Sequence, residues 1–284
     1  MPFLREKFIF DDLTFQARWI FEWYREVGWN ESLTSIYTII WYVLSGSKRI
    51  EMNGDAFLLE QGNLLIVPPD TVLRIRSEDQ NPFHYLALGC EARIGSLPLS
   101  RRLPLPAKIL LGESSNRLVS LWRKLLEQVK ELQKDGPVIE EMSERLKIQS
   151  STLDWLSEMI RCCRYYLPTE PVQIDERIAE LCGFINDHLH EELTAPLLAG
   201  RVHVSESHLR SLFQKHIGLS LMQYVLQERL RRARQLLWMT DYTVKIIAES
   251  VGFNDQSQFS HTFRRLTGAS PSDYRKQTKH HLLP

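Results

Sequence analysis

Between residues 199 and 274 the chain repeats itself at a spacing of 50, and this restricts its folding more than any other feature. Phe213, Gly218, Ser220 and Tyr224 recur as Phe263, Gly268, Ser270 and Tyr274 at identical offsets. Leu209 and Phe259 extend the match upstream. Ala199 and Ala248 stand 49 apart, so the second copy carries one extra residue between its helices.

Each copy reads as helix, turn, helix. In the second, Thr243 caps a helix bearing Ile246, Ile247 and Val251, Ala248 permits close helix approach, and Gly252 permits the turn. Asn254 or Asp255 caps the following helix, whose inward stripe is Phe259, Phe263 and Leu266. That leaves Gln256, Ser257, Ser260 and His261 on its outer face. In the first copy Thr194 opens a helix over Leu197–Arg201 and Ser205 caps the next. There Leu209, Leu212 and Phe213 face inward, and Ser207, Arg210 and Ser211 face outward. These polar groups suit base edges, and the Arg210 guanidinium can engage O6 and N7 of one guanine together.

Residues 220–240 join the copies as a helix carrying Arg229, Arg231, Arg232 and Arg234. Its ~19 helical residues span roughly 28 Å, near the ~34 Å between successive major grooves on one DNA face. Such an arginine run is ordinarily a solvated helix face, and between two recognition motifs it equally supplies phosphate contacts. Arg232 and Arg265 are the candidates. The 35 basic and 35 acidic residues cancel, but unevenly: residues 201–284 hold 13 Lys/Arg against 6 Asp/Glu, leaving 22 against 29 for residues 1–200. A basic C-terminal part on an acidic partner domain points to a polyanion.

Residues 35–92 follow a period of two. Ser35–Leu44 is β-branched and aromatic, Asn53-Gly54 is a hairpin signal, and Gly62-Asn63 and Pro68-Pro69-Asp70 punctuate further short strands. Beyond Pro106 the period becomes helical, with one face formed by Leu118, Leu121, Trp122, Leu125, Val129 and Leu132. Ile139, Met142, Leu146, Leu153, Leu156 and Ile160 supply further apolar positions, and Pro168 and Pro171 end the helical stretch.

Residues 175–276 closely resemble the tandem helix-turn-helix domain of AraC/XylS-type transcriptional regulators. The likeness is most specific from Val244 through Ala248, Gly252-Phe253, Phe259 and Phe263 to Gly268, Ser270-Pro271 and Tyr274-Arg275. Lys245 stands where an acidic residue is more usual. The resemblance implies DNA contacts from Ser207, Arg210 and Ser211 in the first motif and Gln256, Ser257, Ser260 and His261 in the second. Residues 35–92 resemble the cupin-type ligand-binding barrel that precedes this domain in many such regulators. The cupin metal pattern is absent, since His84 stands alone, so no metal or cofactor is expected.

The expected fold is therefore α+β and multidomain: a cupin-like β-barrel over 1–110, a helical dimerisation region over 111–167, a linker over 168–174 and an all-α tandem helix-turn-helix domain over 175–284. The expected function is that of a sequence-specific regulator binding double-stranded DNA as a homodimer, controlled by a small-molecule effector, with RNA polymerase as a further partner. Two rival readings remain: a ligand-independent regulator whose barrel makes protein contacts, and a cupin-type enzyme with an appended DNA-binding domain. No catalytic constellation supports the enzyme. No segment approaches a membrane span, the N-terminus lacks a signal peptide, and four cysteines without a CxxC pair argue for reduced thiols; a cytoplasmic protein is expected.

Phe8, Phe10, Phe15, Trp19, Phe21, Trp23, Tyr24 and Trp29 crowd the opening and line either a core or a pocket. Arg18, Trp41, Tyr42 and His84 are the ligand-pocket candidates. Arg18 pairs either with a ligand or with Glu22, and Cys162-Cys163 is either a redox pair or helix packing.

Overall fold

The computed structural model describes residues 13–35, 37–69, 71–77, 81–132, 138–169 and 172–280. Phe8, Phe10, Ile36, Asp70, Pro171 and His281 lie outside these. The chain divides into two compact units, residues 1–94 with 98–172 and residues 95–97 with 173–284.

The first unit contains β1 (Leu13–Arg25), β2 (Glu31–Ser35), β3 (Thr38–Ser45), β4 (Ser47–Met52), β5 (Asp55–Glu60), β6 (Asn63–Val67), β7 (Thr71–Arg76), β8 (Phe83–Ile94) and β10 (Lys108–Leu110); the two-residue β9 (Leu97–Pro98) falls on the division between the units. One antiparallel sheet runs β1-β8-β3-β6-β10 and a second runs β2-β7-β4-β5. The Asn53-Gly54 hairpin joins β4 to β5 with Met52 opposite Asp55, and both turn residues take positive φ, 54° and 90°. A two-residue loop with that backbone matches the twist of the flanking strands.

Between the sheets lies an apolar core that includes Trp41, Val43, Ile50, Leu59, Leu65, Val67, Leu73, Ile75, Phe83 and Tyr85, each at most 3% exposed. The opposite face of the first sheet is covered by α2 (Asn116–Leu132) and α3 (Val138–Cys162), which follow the single-turn α1 (Leu99–Arg102). Trp122 and Trp155 meet edge to face at 4.9 Å in this second core, and Phe15 lies 6.2 Å from Trp155. Leu118, Trp122 and Leu125 are buried as their spacing predicts.

Four strands escape the sequence reading, the two-residue β9 among them. β1 is the longest, and a bulge between Ala17 and Trp19 explains why its alternation is hidden. Before the bulge Phe15 and Ala17 lie opposite Ala92 and Cys90; after it Ile20 pairs with Leu88, while Trp19 and Phe21 pair with Gly89 and Ala87. The extra residue, Arg18, shifts the parity, so the aromatic run serves both cores. β2 and β10 are short and find their partners far along the chain.

The second unit is helical: α4 (Glu176–Asp187), α5 (Ala195–Arg201), α6 (Glu206–Ile217), α7 (Leu221–Met239), α8 (Val244–Ser250), α9 (Gln256–Thr267) and α10 (Pro271–His280). Side-chain caps set the starts. Thr194 accepts from Leu197 N, Ser205 from His208 N, Thr243 from Ile246 N and Asp255 from Gln258 N. Asp255 thus takes the cap that sequence left open between it and Asn254. Ser220 and Gln223 form a reciprocal capping box at the start of α7.

The repeated residues perform the same task twice. Phe213 meets Tyr224 at 5.3 Å and 67°, and Phe263 meets Tyr274 at 5.5 Å and 79°. Between them Gly218 (φ 72°) and Gly268 (φ 81°) close α6 and α9 in the left-handed conformation, donating to the carbonyls of Gln214 and Arg264. The inserted residue of the second copy also has a location. Val202–Ser205 makes the first turn and Val251–Asp255 the second. In both, a positive-φ residue, His203 or Gly252, is followed by an N–H bonded back to Ala199 or Ala248. The added residue follows that bond.

Two inward assignments need correction. Ile246 is 46% exposed and Leu266 39% exposed, while Ile247, Val251, Phe259 and Phe263 are fully buried. Seven-residue α8 buries one ridge, Ile247 with Ala248, and Ile246 falls beside it; Leu266 lies in the last turn of α9, beyond Phe263. Leu212 is half-buried.

Gly252 and Gly268 separate two costs of substitution. A Cβ on Gly268 meets nothing within 4 Å, whereas on Gly252 it would fall 2.2 Å from the Leu189 carbonyl oxygen and 2.7 Å from Arg229 Nη2. Gly268→Ala should cost about 1–2 kcal/mol, from backbone conformation alone. Gly252→Ala should cost at least about 2 kcal/mol more, because backbone must move. Urea denaturation followed by circular dichroism checks this; equal losses would refute the steric argument.

All four cysteines are buried, and none is in a disulfide. Burial pushes the Cys90 and Cys163 thiols up to about 12 and raises Cys162 as well. Cys162-Cys163 is helix packing, and its thiolates are suppressed. Native protein at about pH 8 should leave Ellman's reagent unreacted over minutes, with all four thiols reacting after denaturation. A single fast native thiol would contradict this.

Candidate nucleic-acid interface

The exposed faces of α6 and α9 carry the residues suited to base contact. Ser207, Arg210 and Ser211 are exposed on α6; Gln256, Ser257 and His261 are exposed on α9, and Ser260 is half-buried. Each set lies opposite a buried stripe, Leu209 and Phe213 in one helix and Phe259 and Phe263 in the other. The 50-residue offset places Ser207, Arg210 and Ser211 in the positions of Ser257, Ser260 and His261. Arg210 Nη2 lies 3.4 Å from Glu206 Oε2 one turn back, with both side chains in solvent. A pair so exposed holds the guanidinium weakly and leaves it free to exchange partners.

Nine arginines follow residue 200, and five of them are engaged inside this unit. Arg229 Nε donates to the Leu189 carbonyl at 3.0 Å and Nη2 to the Glu191 carbonyl at 2.6 Å. Arg275 donates to the carbonyls of Leu237 and Tyr242 at 3.3 and 2.5 Å. Arg231 pairs with Glu228 at 2.8 Å, Arg201 lies 3.8 Å over the Phe184 ring, and Arg234 is 6% exposed. Arg210, Arg232, Arg264 and Arg265 face solvent. Of the four arginines on α7, only Arg232 is exposed. Arg231 pairs one turn back along its own helix, whereas the carbonyls that hold Arg229 lie 38 and 40 residues away, where sequence spacing does not show them.

The ligand-pocket candidates of the first unit are not brought together. Trp41 is buried between the sheets, 4.6 Å from Tyr85. Tyr42 points to the other face and donates its hydroxyl to Ser115 Oγ at 2.8 Å. Arg18 pairs with Glu91 at 2.9 Å rather than with Glu22, and Glu22 instead pairs with His84 at 2.9 Å and Arg123 at 3.6 Å. Four residues along one strand put the two backbones ~13 Å apart, too far for Arg18 and Glu22 to pair readily. Trp19, Phe21 and Trp23 line up along β1 at 5.9 and 5.4 Å, Phe21 and Trp23 partly exposed, and the Arg25 guanidinium lies between the rings of Trp23 and Trp29 at 4.2 and 4.8 Å. Among the described residues no cluster of His, Cys, Asp or Glu is placed to hold a metal, and no helix is long and apolar enough to cross a membrane.

A groove of about 540 Å³ opens between α2 and the first sheet. Tyr42, Leu44 and Val119 form its apolar part, Gln61, Asn116 and Ser120 its neutral polar part, and Arg123, Lys124 and Glu127 its charged part. The sequence reading missed it, although the polar residues of α2 recur at helical spacing opposite Leu118, Trp122 and Leu125.

Residues 198–277 match the family described as a helix-turn-helix domain, and residues 33–146 the family described as an AraC-like ligand binding domain. The arabinose operon regulatory protein of Escherichia coli (strain K12) is 36% identical over 103 residues, which cover 36% of this chain and 35% of that one. The msm operon regulatory protein of Streptococcus mutans serotype c is 23% identical over 246 residues, 84% of each chain. In fold the chain is similar to ToxT of Vibrio cholerae O395, with a TM-score of 0.56 at 13% identity over 94% of this chain and 98% of that one. The chain spans about a third of the length of the arabinose regulators it matches.

Proposed function

We propose that this chain, which pairs an AraC-type helix-turn-helix domain with an AraC-like ligand-binding domain, is a sequence-specific DNA-binding transcriptional regulator. The observation that carries the reading is the pair of helices α6 and α9, built on one repeated corner and presenting Ser207, Arg210 and Ser211 and Gln256, Ser257 and His261 to solvent, with Ser260 half-buried beside them. Arg232 and Arg265 contact phosphate. The N-terminal domain (1–110) senses a small molecule, the helical region (111–167) dimerises, residues 168–174 link them to the DNA-binding domain (175–284), and the protein acts in the cytoplasm, with RNA polymerase as partner. The matching family supports ligand sensing. The packed space between the sheets favours a second reading, in which this domain works through protein contacts. The homologues are regulators, which argues against an enzyme.

Arg210→Ala and His261→Ala should each lose about 1–3 kcal/mol at particular base positions, and Arg232→Ala should weaken binding to all sequences and lower the salt slope by about one. Affinities on a library of single-base operator variants at two salt concentrations check this. An even loss across the library for Arg210→Ala would make it a phosphate contact, and equal binding of all duplexes by the wild type would remove the regulator assignment.

Dimerisation is supported by α3, where Ile139, Met142 and Leu146 are 82, 60 and 70% exposed along one helical face. At tens of micromolar, roughly, light scattering should give twice the chain mass for the wild type and the chain mass for Leu146→Glu. A wild-type monomer would overturn the dimer.

A further inference from the structure

We propose that the groove between α2 and the first sheet is an effector site, and that it takes a small anionic polyol, a sugar phosphate or sugar acid. This rests on the ligand-sensing reading and moves the ligand out of the space between the sheets, where Val43, Ile50, Leu59, Leu65, Val67 and Leu73 leave essentially no exposed surface. The groove's 540 Å³ lies within the ~300–1,000 Å³ of ordinary small-molecule sites.

The lining selects the ligand. Asn116, Val119, Ser120, Arg123, Lys124 and Glu127 recur at steps of three and four, so one face of α2 carries them all. Gln61 faces them from the β5–β6 turn. Two amides, a hydroxyl and a carboxylate match the donors and acceptors of several ligand hydroxyls; Glu22 stands behind Arg123, so the cation the groove itself offers to a ligand is Lys124. An apolar ligand would leave the polar groups it covers unpaired, and a neutral polyol would make no use of the Lys124 charge. A polyol bearing a phosphate or carboxylate meets both demands, with its C–H face against Tyr42 and Leu44.

The site is held from behind. Ser115 Oγ accepts the Tyr42 hydroxyl and donates to the Gly112 carbonyl at 2.7 Å, which fixes the aromatic floor. Glu22, outside the lining, lies 3.6 Å from Arg123 Nη2 and 2.9 Å from His84 Nε2, which orients the guanidinium from the sheet side. Lys124 is exposed on the same face, one turn before Glu127. Ordering of the partners before binding lowers the entropic cost of capture.

Calorimetric titration of the full chain with glucose 6-phosphate, gluconate, glucose and inorganic phosphate tests this, on the wild type, Ser120→Trp and Lys124→Glu. At least one of the two anionic sugars should bind the wild type at millimolar or better affinity and at least about tenfold more tightly than glucose or phosphate. Which of the two binds decides between phosphate and carboxylate. Ser120→Trp, from an exposed position, should abolish binding, and Lys124→Glu should weaken it at least about tenfold. Equal binding of glucose overturns the charge argument; undiminished binding by Ser120→Trp overturns the location; no binding by either anionic sugar overturns the proposal. Duplex affinity, measured on the same variants without ligand, should stay at the wild-type value, so a failed regulator assignment is read separately from a failed site.

Discussion

The second unit depends on one aromatic corner used twice. An α-helix ends in a left-handed glycine, a serine starts the next helix two residues later, and a tyrosine from that next helix meets the phenylalanine of the first edge to face. Such ring pairs contribute ~0.5–1.5 kcal/mol beyond the apolar area they bury. Their larger effect is geometric. Fixing Phe213 on Tyr224 sets the angle at which α6 leaves α7, and fixing Phe263 on Tyr274 does the same for α9 and α10. The outward residues of α6 and α9 are aimed by contacts they do not themselves make.

α7 then couples the two copies. It begins at the first corner with the Ser220 capping box and ends near Thr240, whose hydroxyl donates to the Leu236 carbonyl. Arg229, midway along it, donates to the carbonyls of Leu189 and Glu191 beyond the end of α4, and Gly252 of the second turn lies against that same carbonyl and guanidinium. One side chain thereby ties α4, α7 and the second turn together. Desolvation lowers the Arg229 pKa, but a guanidinium so far above neutrality stays charged. The local excess of positive charge is thus divided between arginines that hold this unit together and four, Arg210, Arg232, Arg264 and Arg265, that face solvent.

Local chemistry was legible in the sequence and distant pairing was not. Caps at Thr194, Ser205 and Thr243, the turn glycine at 252 and the Asn53-Gly54 hairpin rest on interactions within a few residues, and each stands as read. β1 was hidden because one bulged residue, Arg18, inverts its alternation, and because β8, its partner, lies some 70 residues away. Arg229 and Arg231 looked alike on the helix, yet only tertiary structure gives Arg229 a pair of carbonyls 38 and 40 residues distant. Trp41 and Tyr42, adjacent in sequence, necessarily faced opposite sides of β3, so both could not line one pocket.

The central claim is that α7 and its two corners hold α6 and α9 at one fixed separation before any DNA is bound. Spin labels at Ser207→Cys and Ser257→Cys, on exposed positions of a chain whose own cysteines are buried, read that separation directly by pulsed dipolar spectroscopy. A single narrow distance, unchanged when duplex DNA is added, is the expected result. A broad or multiple distribution in the free protein that narrows only on DNA would contradict the account.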